Sequence, residues 1–172
     1  DQDTAAIVER RALTLFAGVR VAWQLSTDDW ELLNWLARTQ EIGMAISHKH
    51  FKRHSAYLLR NADLPGFSQE EQVQLAVLAQ GQRGKLSNDL FGDIAESDEL
   101  RMKYLLAIVR LAVCFKYVEK LALLPDFSIS AGDHLLELVF PDGWVEEHPL
   151  TARELELEQE TLAKLDITLK IS

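Results

Sequence analysis

Residues 46–67 read ISHKHFKRHSAYLLRNADLPGF, where His48, His50 and His54 are interleaved with Lys49, Lys52 and Arg53, and Arg60 follows. No acid falls between Ala45 and Ala62. Imidazole, ammonium and guanidinium groups this dense suit three chemistries. The first is metal ligation: His50 and His54 are spaced to share one face of a helix, as two zinc ligands do, and Glu41 or His48 would supply a third. No HExxH pattern and no paired cysteine accompanies them. The second is anion binding, with the cations gathered at the start of a helix whose unpaired N–H groups and dipole add positive potential. The third is an ordinary solvated helix surface carrying hydrogen-bonding histidines.

Helical spacing at about 100° per residue sorts this segment into faces. His50, His54, Tyr57 and Asn61 fall on one stripe, flanked by Arg53 and Arg60. Phe51, Leu58, Leu59 and Ala62 point the other way, toward a core. More cations lie further along: Arg83 and Lys85 in a glycine-containing loop, then Arg101, Lys103, Arg110, Lys116 and Lys120 on a long apolar helix. Arg110 interrupts LLAIVRLAVCF, so its guanidinium either snorkels or lines an internal channel.

Helical elements must carry these groups. Apolar residues at helical spacing predict a first helix over 4–25. Ser26 or Thr27 caps a second, which ends near Gly43. A third spans about 50–62 and stops at the Pro65-Gly66 turn. The capping box Ser68–Glu71 opens a fourth, to about residue 80. Residues 81–97 read as a loop with one short helix around Leu86–Phe91, and Ser97-Asp98-Glu99 begins a long helix to about 123. After Pro125 the pattern changes. FSISAG and HLLELVF read as strands joined by a turn at Ala131–Asp133, a capping box Thr151–Glu154 starts an acidic helix, and DITLKIS alternates like a half-buried strand. The fold class is therefore mainly α: a helical domain over 1–124, then a small α+β (β-β-α-β) unit over 125–172 packed onto it.

Composition narrows the partners. The chain has 172 residues, 48% apolar and 26% charged, with a net charge of −9. The charge is uneven: residues 132–172 hold ten acids and three bases, residues 1–131 seventeen and fifteen. That balance argues against nucleic acid as a partner, because duplex binders carry a basic stripe and a high pI. No apolar run approaches the roughly 20 residues that span a bilayer, so no membrane partner is expected. The single cysteine, Cys114, lies in the apolar helix and fits a small core residue in a reducing compartment. The opening DQDTAAIVERRALTLF has no Met and enters a helical pattern at once, as expected of a piece of a longer or processed protein.

Specific words in the chain carry a resemblance. EIGMAISH (41–48), RHSAYLL (53–59), RNADLPGFS (60–68), RLAV (110–113), FPDGW (140–144) and HPL (148–150) resemble the C-terminal region of the exopolyphosphatase / guanosine pentaphosphate phosphohydrolase family. The resemblance covers essentially the whole chain. It implies an HD-like helical domain over 1–124 with the small α+β unit behind it. It also implies a catalytic half elsewhere in the parent protein: N-terminal actin-like domains whose glycine-rich phosphate loops and carboxylates work with a divalent cation such as Mg. Nothing of that half is legible here, so no catalytic residue and no cofactor are expected in this chain.

Where relatives usually show His-Glu at the HD position, this chain has Gln40-Glu41. His48 and His54 match the family pattern, and His50 does not. An amide is a poor partner for metals that imidazole holds, so a vestigial site is implied, with Glu41, His48 and His54 the remaining metal candidates. The resemblance further implies that this region holds inorganic polyphosphate while the actin-like domains release terminal orthophosphate. The expected anion contacts are Lys49, Lys52, Arg53, His54, Arg60, Arg83, Lys85 and Arg110. Guanosine pentaphosphate as the parent substrate, a metal-dependent HD-type nucleotide phosphohydrolase, and a dimerisation module using Trp23, Trp30 and Trp35 stay open as alternatives. A homodimer and a cytoplasmic location complete the expectations.

Overall fold

A computed structural model describes residues 2–172, with side chains from Asp3 onward. Six helices and three strands follow one another: α1 (Gln2–Val19), α2 (Thr27–Thr39), α3 (Phe51–Asn61), α4 (Gln69–Gly81), α5 (Glu99–Val118), β1 (Ser128–Gly132), β2 (Leu135–Val139), α6 (Pro149–Ala163) and β3 (Thr168–Ile171). The chain is mainly α with a small α+β unit, in the order read from the sequence.

Local chemistry sets the boundaries. Ser26 and Asp29 cap α2 reciprocally: the Asp29 amide donates to Ser26 Oγ at 3.2 Å, and the Ser26 amide to Asp29 Oδ2 at 2.8 Å. Ser68 and Glu71 do the same for α4, at 3.1 and 3.0 Å. Both satisfy amides that a helix start leaves unpaired.

Several elements differ from the sequence reading. α1 stops at Val19 rather than near 25, because Gln24 turns to φ 56° and the Leu25 amide bonds back to the Arg20 carbonyl. No helix forms around Leu86–Phe91. Successive four-residue turns do instead, with amides of Leu90, Gly92 and Ile94 donating to the carbonyls of Ser87, Asp89 and Phe91. α5 opens at Glu99 after a short 3-10 turn over Glu96–Asp98, without a side-chain cap, and ends at Val118 rather than near 123. α6 begins at Pro149 behind His148, not at a Thr151–Glu154 box. Proline presets the first helical φ and lacks an N–H that would have no partner there, and Thr151 is buried.

α5 is the central rod. Every residue from Tyr104 to Lys116 along it is buried. α1 lies antiparallel against it, with Arg11 paired to Glu119 and Trp23 stacked on Tyr104 at 4.2 Å. One apolar cluster runs from Val8 through Leu33, Leu78 and Phe115 to Leu136 and Leu169. It crosses the boundary near 124 expected from composition, since Leu136, Leu138, Leu155 and Leu162 belong to it.

The sheet order is β1-β2-β3. β1 and β2 form an antiparallel hairpin (Ser130 opposite Glu137), and β3 joins β2 in parallel (Leu136 opposite Leu169) through α6. At Gly18 of α1 a Cβ would sit 2.7 Å from a methyl of Ile129, so the helix meets the sheet at a glycine. Among the described residues no helix is long and apolar enough to cross a membrane.

The tryptophans are mostly inward. Trp23 is buried, Trp30 lies half-buried near Phe16 with ring centres 5.5 Å apart, and Trp35 packs edge-on against Phe67 at 5.1 Å while keeping an exposed side.

Candidate functional site

The basic residues fall into two neighbouring groups rather than one continuous groove. The first surrounds the turn after α4. Lys52, in the first turn of α3, donates from its ammonium to the Arg83 carbonyl at 2.5 Å. Gly84, at φ +75°, passes beneath it; a Cβ there would lie 3.4 Å from the ammonium in a conformation L side chains rarely adopt. No carboxylate pairs with Lys52 among the described residues. Burial, then the charges of Arg110 and Arg83, lowers its pKa from the ordinary 10.5.

Arg83 lies flat over Tyr117, its guanidinium carbon 3.6 Å from the ring centre, with Glu154 of α6 at 3.7 Å. Stacking of this kind orients a guanidinium while leaving its edge open. Arg83 and exposed Lys85 line a groove of about 330 Å³ that α6 and the residue after it close with Lys164 and with Glu154, Glu158 and Glu160.

Arg110 borders that groove from beneath but is 2% exposed, and each of its three nitrogens has a partner in the interior. Its Nε and Nη2 donate to the two oxygens of Glu158 at 2.9 and 3.1 Å, and Nη1 donates to the Gly81 carbonyl at 2.6 Å. The interruption in the apolar helix is thus a bidentate tie between α5 and α6 that also caps α4, and it presents no free guanidinium to an anion. Burial keeps the Glu158 carboxyl above its usual range even against Arg110. The same burial and the nearby Glu158 push the Cys114 thiol up to about 12.

The second group lies on α3 itself. Arg53 and Arg60 edge a separate surface depression of about 330 Å³ shared with Tyr57, Asp89 and Asp93. Arg60 is paired there with Asp93 at 3.0 Å. Lys49 is exposed in the turn before α3, and His54 is half-buried on the helix. His50 occupies the N-cap position with φ 60° and offers no side-chain cap, so the first amides of α3 meet a first turn without any acid.

The metal candidates are not assembled. The Glu41 carboxylate is held by the Lys116 ammonium, which is itself buried. Gln40 beside it is buried, and its backbone carbonyl accepts from the Gln82 amide at 2.8 Å. His48 is exposed. Among the described residues no three His, Cys, Asp or Glu side chains group closely enough to hold a metal ion.

Sequence reasoning missed Glu158, Glu154, Tyr117 and Lys164. Their partners lie far away along the chain. The one available signal was the pair of acids four residues apart on α6, facing the same way as Leu155 and Leu162.

A helical body built on one long buried helix, with a small three-stranded sheet packed on it and two groups of basic residues, is the arrangement that a known family shares. The family model described as Ppx/GppA phosphatase, domain III, matches residues 1–159, and the chain belongs to that family. It is 35% identical over 166 residues to a "Guanosine-5'-triphosphate,3'-diphosphate pyrophosphatase" of Pseudoalteromonas translucida (strain TAC 125), covering 96% of this chain and 33% of that protein. It is 31% identical over 169 residues to a protein of the same description from Aeromonas salmonicida (strain A449), covering 96% of this chain and 34% of that one. The chain thus spans about a third of the length of these curated relatives.

Proposed function

We propose that this chain is the phosphate-chain-holding, non-catalytic part of a phosphoanhydride hydrolase. It takes inorganic polyphosphate along the groove of Arg83, Lys85 and Lys164, beside Lys52, while actin-like domains of the same protein, with a divalent cation, cut the terminal phosphate. The observation that carries this reading is Lys52: a half-buried ammonium with two guanidinium neighbours and no carboxylate of its own. An anion entering the groove supplies the missing negative charge. Lys85 and Arg83 extend the track, and Lys49 before α3 with Arg53 and His54 on it provide outlying contacts. Such a polyanion is bound mainly through released counterions, so affinity falls with salt. Glu154 opposite Arg83 keeps the track from closing over a ligand too tightly to let it advance.

Titration of the chain with long-chain polyphosphate at low salt tests this. Saturable binding is expected, and Lys52→Ala with Lys85→Ala weakens it by about tenfold or more, as loss of two phosphate contacts should. Absence of binding, or binding equal in the double variant with its thermal melt unchanged, overturns it.

A second reading is favoured by the relatives' names: the held ligand is the phosphate end of guanosine pentaphosphate. Competition separates the two. Displacement of polyphosphate by guanosine pentaphosphate, but not by guanosine, supports the nucleotide.

A further inference from the structure

The starts of α2 and α4, and the turn leading into α5, converge on a second pocket of about 360 Å³, outside the basic groove. Asp28, Asp29, Glu70, Glu71 and Asp98 line it with a single base, Arg101, so five negative charges face one positive. Acids in a first helical turn complement the helix dipole, as Asp28 and Asp29 do for α2 and Glu70 and Glu71 for α4, and three of the five are further held by a cap or an ion pair. Asp29 is tied to the Ser26 cap and to Arg101 at 2.5 Å, Glu71 to the Ser68 cap, and Asp98 to Arg101 at 3.4 Å. Asp28 and Glu70 are exposed and face no cation among the described residues.

An independent feature shows that the pocket is more than a cluster of caps. Gln74 of α4 lines it while only 6% exposed, and its side-chain amide makes no hydrogen bond among the described residues. The amide is not sealed in the core but opens onto the pocket, where a ligand can meet it. Its oxygen accepts an N–H. Leu32, 3% exposed, gives the wall an apolar strip.

The carboxylates are too dispersed for a metal ion, since no three group closely enough among the described residues. Spaced negative charges, an amide oxygen and an apolar strip instead match ammonium groups separated by methylenes. We propose that this pocket binds an aliphatic polyamine, with its ammoniums on Asp28, Glu70 and Gln74 and its methylenes on Leu32.

The test uses spermidine and the 172-residue chain, by calorimetry and by NMR of the glutamine side-chain amides. One spermidine per chain is expected, with the Gln74 amide signals shifted. The exposed variant Asp28→Asn/Glu70→Gln, which leaves both capping boxes intact, weakens binding about fivefold or more, as removing two partly screened contacts should. Three results overturn the proposal: no saturable binding, equal binding by the double variant, or the same response to magnesium at matched ionic strength, which marks diffuse charge screening.

Discussion

A buried arginine and a half-buried lysine divide the electrostatics of this domain between structure and binding. Arg110 directs each of its three nitrogens to Glu158 or Gly81 in the interior, so removing either charged partner strands the other out of water. Glu158→Ala is expected to lose about 3–5 kcal/mol of stability, measured by urea denaturation. The double variant Arg110→Met/Glu158→Leu recovers most of that loss, since apolar replacement removes both desolvated charges at once.

Lys52 behaves oppositely. Its folded pKa lies below 10.5, so between that lowered value and 10.5 the unfolded chain binds more protons and stability rises with pH. A phosphate chain holds the ammonium charged, so the complex binds more protons than the free domain. Polyphosphate affinity is therefore expected to fall as pH climbs through that same alkaline window. Lys52→Arg, which does not titrate there, flattens the profile. Binding isotherms at a series of pH values check both curves; identical slopes would remove Lys52 from the contact.

At the scale of elements, the capping boxes and tight glycines set what each segment can tolerate. Ser68→Ala is expected to cost about 1 kcal/mol. Gly43→Ala is expected to cost more, about 2–4 kcal/mol, because a Cβ there falls well inside contact distance of the Phe51 carbonyl and the Ser55 amide. Denaturant midpoints rank the two.

These elements also show what was legible in the residues. Ser26, Ser68 and the alternation of DITLKIS announced two helix starts and a strand, because capping and pleat are local properties. The end of α1 and the missing helix near Leu86 were not legible, since Gln24 and Asp89 adopt turns that tertiary packing selects over propensity. The anion candidates were recognisable as charges, yet their assignments were not. Whether Arg110 binds a ligand or Glu158 depends on how α6 lands on α5, and nothing within a few residues of Arg110 reports that.

For the whole molecule, one core serves the helices and the sheet alike. Cys114 is a reporter placed inside it: buried, with its thiol held near pKa about 12. A thiol reagent should label it at least about a hundredfold more slowly in the native protein than in urea, because access requires opening of the most protected helix. Fast native labelling would show that α6 leaves α5 readily. A chain cut at 124 exposes the face of α5 that Leu155 and Leu162 cover and leaves Arg110 without Glu158. It is expected to melt without a cooperative transition by circular dichroism.

The parallel pairing of β2 with β3 has a temporal side. The β1–β2 hairpin closes over a two-residue turn and forms from neighbours, whereas β3 reaches β2 only after α6 has folded and swung across, with more than thirty residues between the partners. Contacts that distant form slowly. During that delay one flank of β2 stays an open row of amides and carbonyls, the kind of template on which copies of a chain add to each other. Crowded, rapid synthesis should therefore harm this domain more than heat does once it is finished.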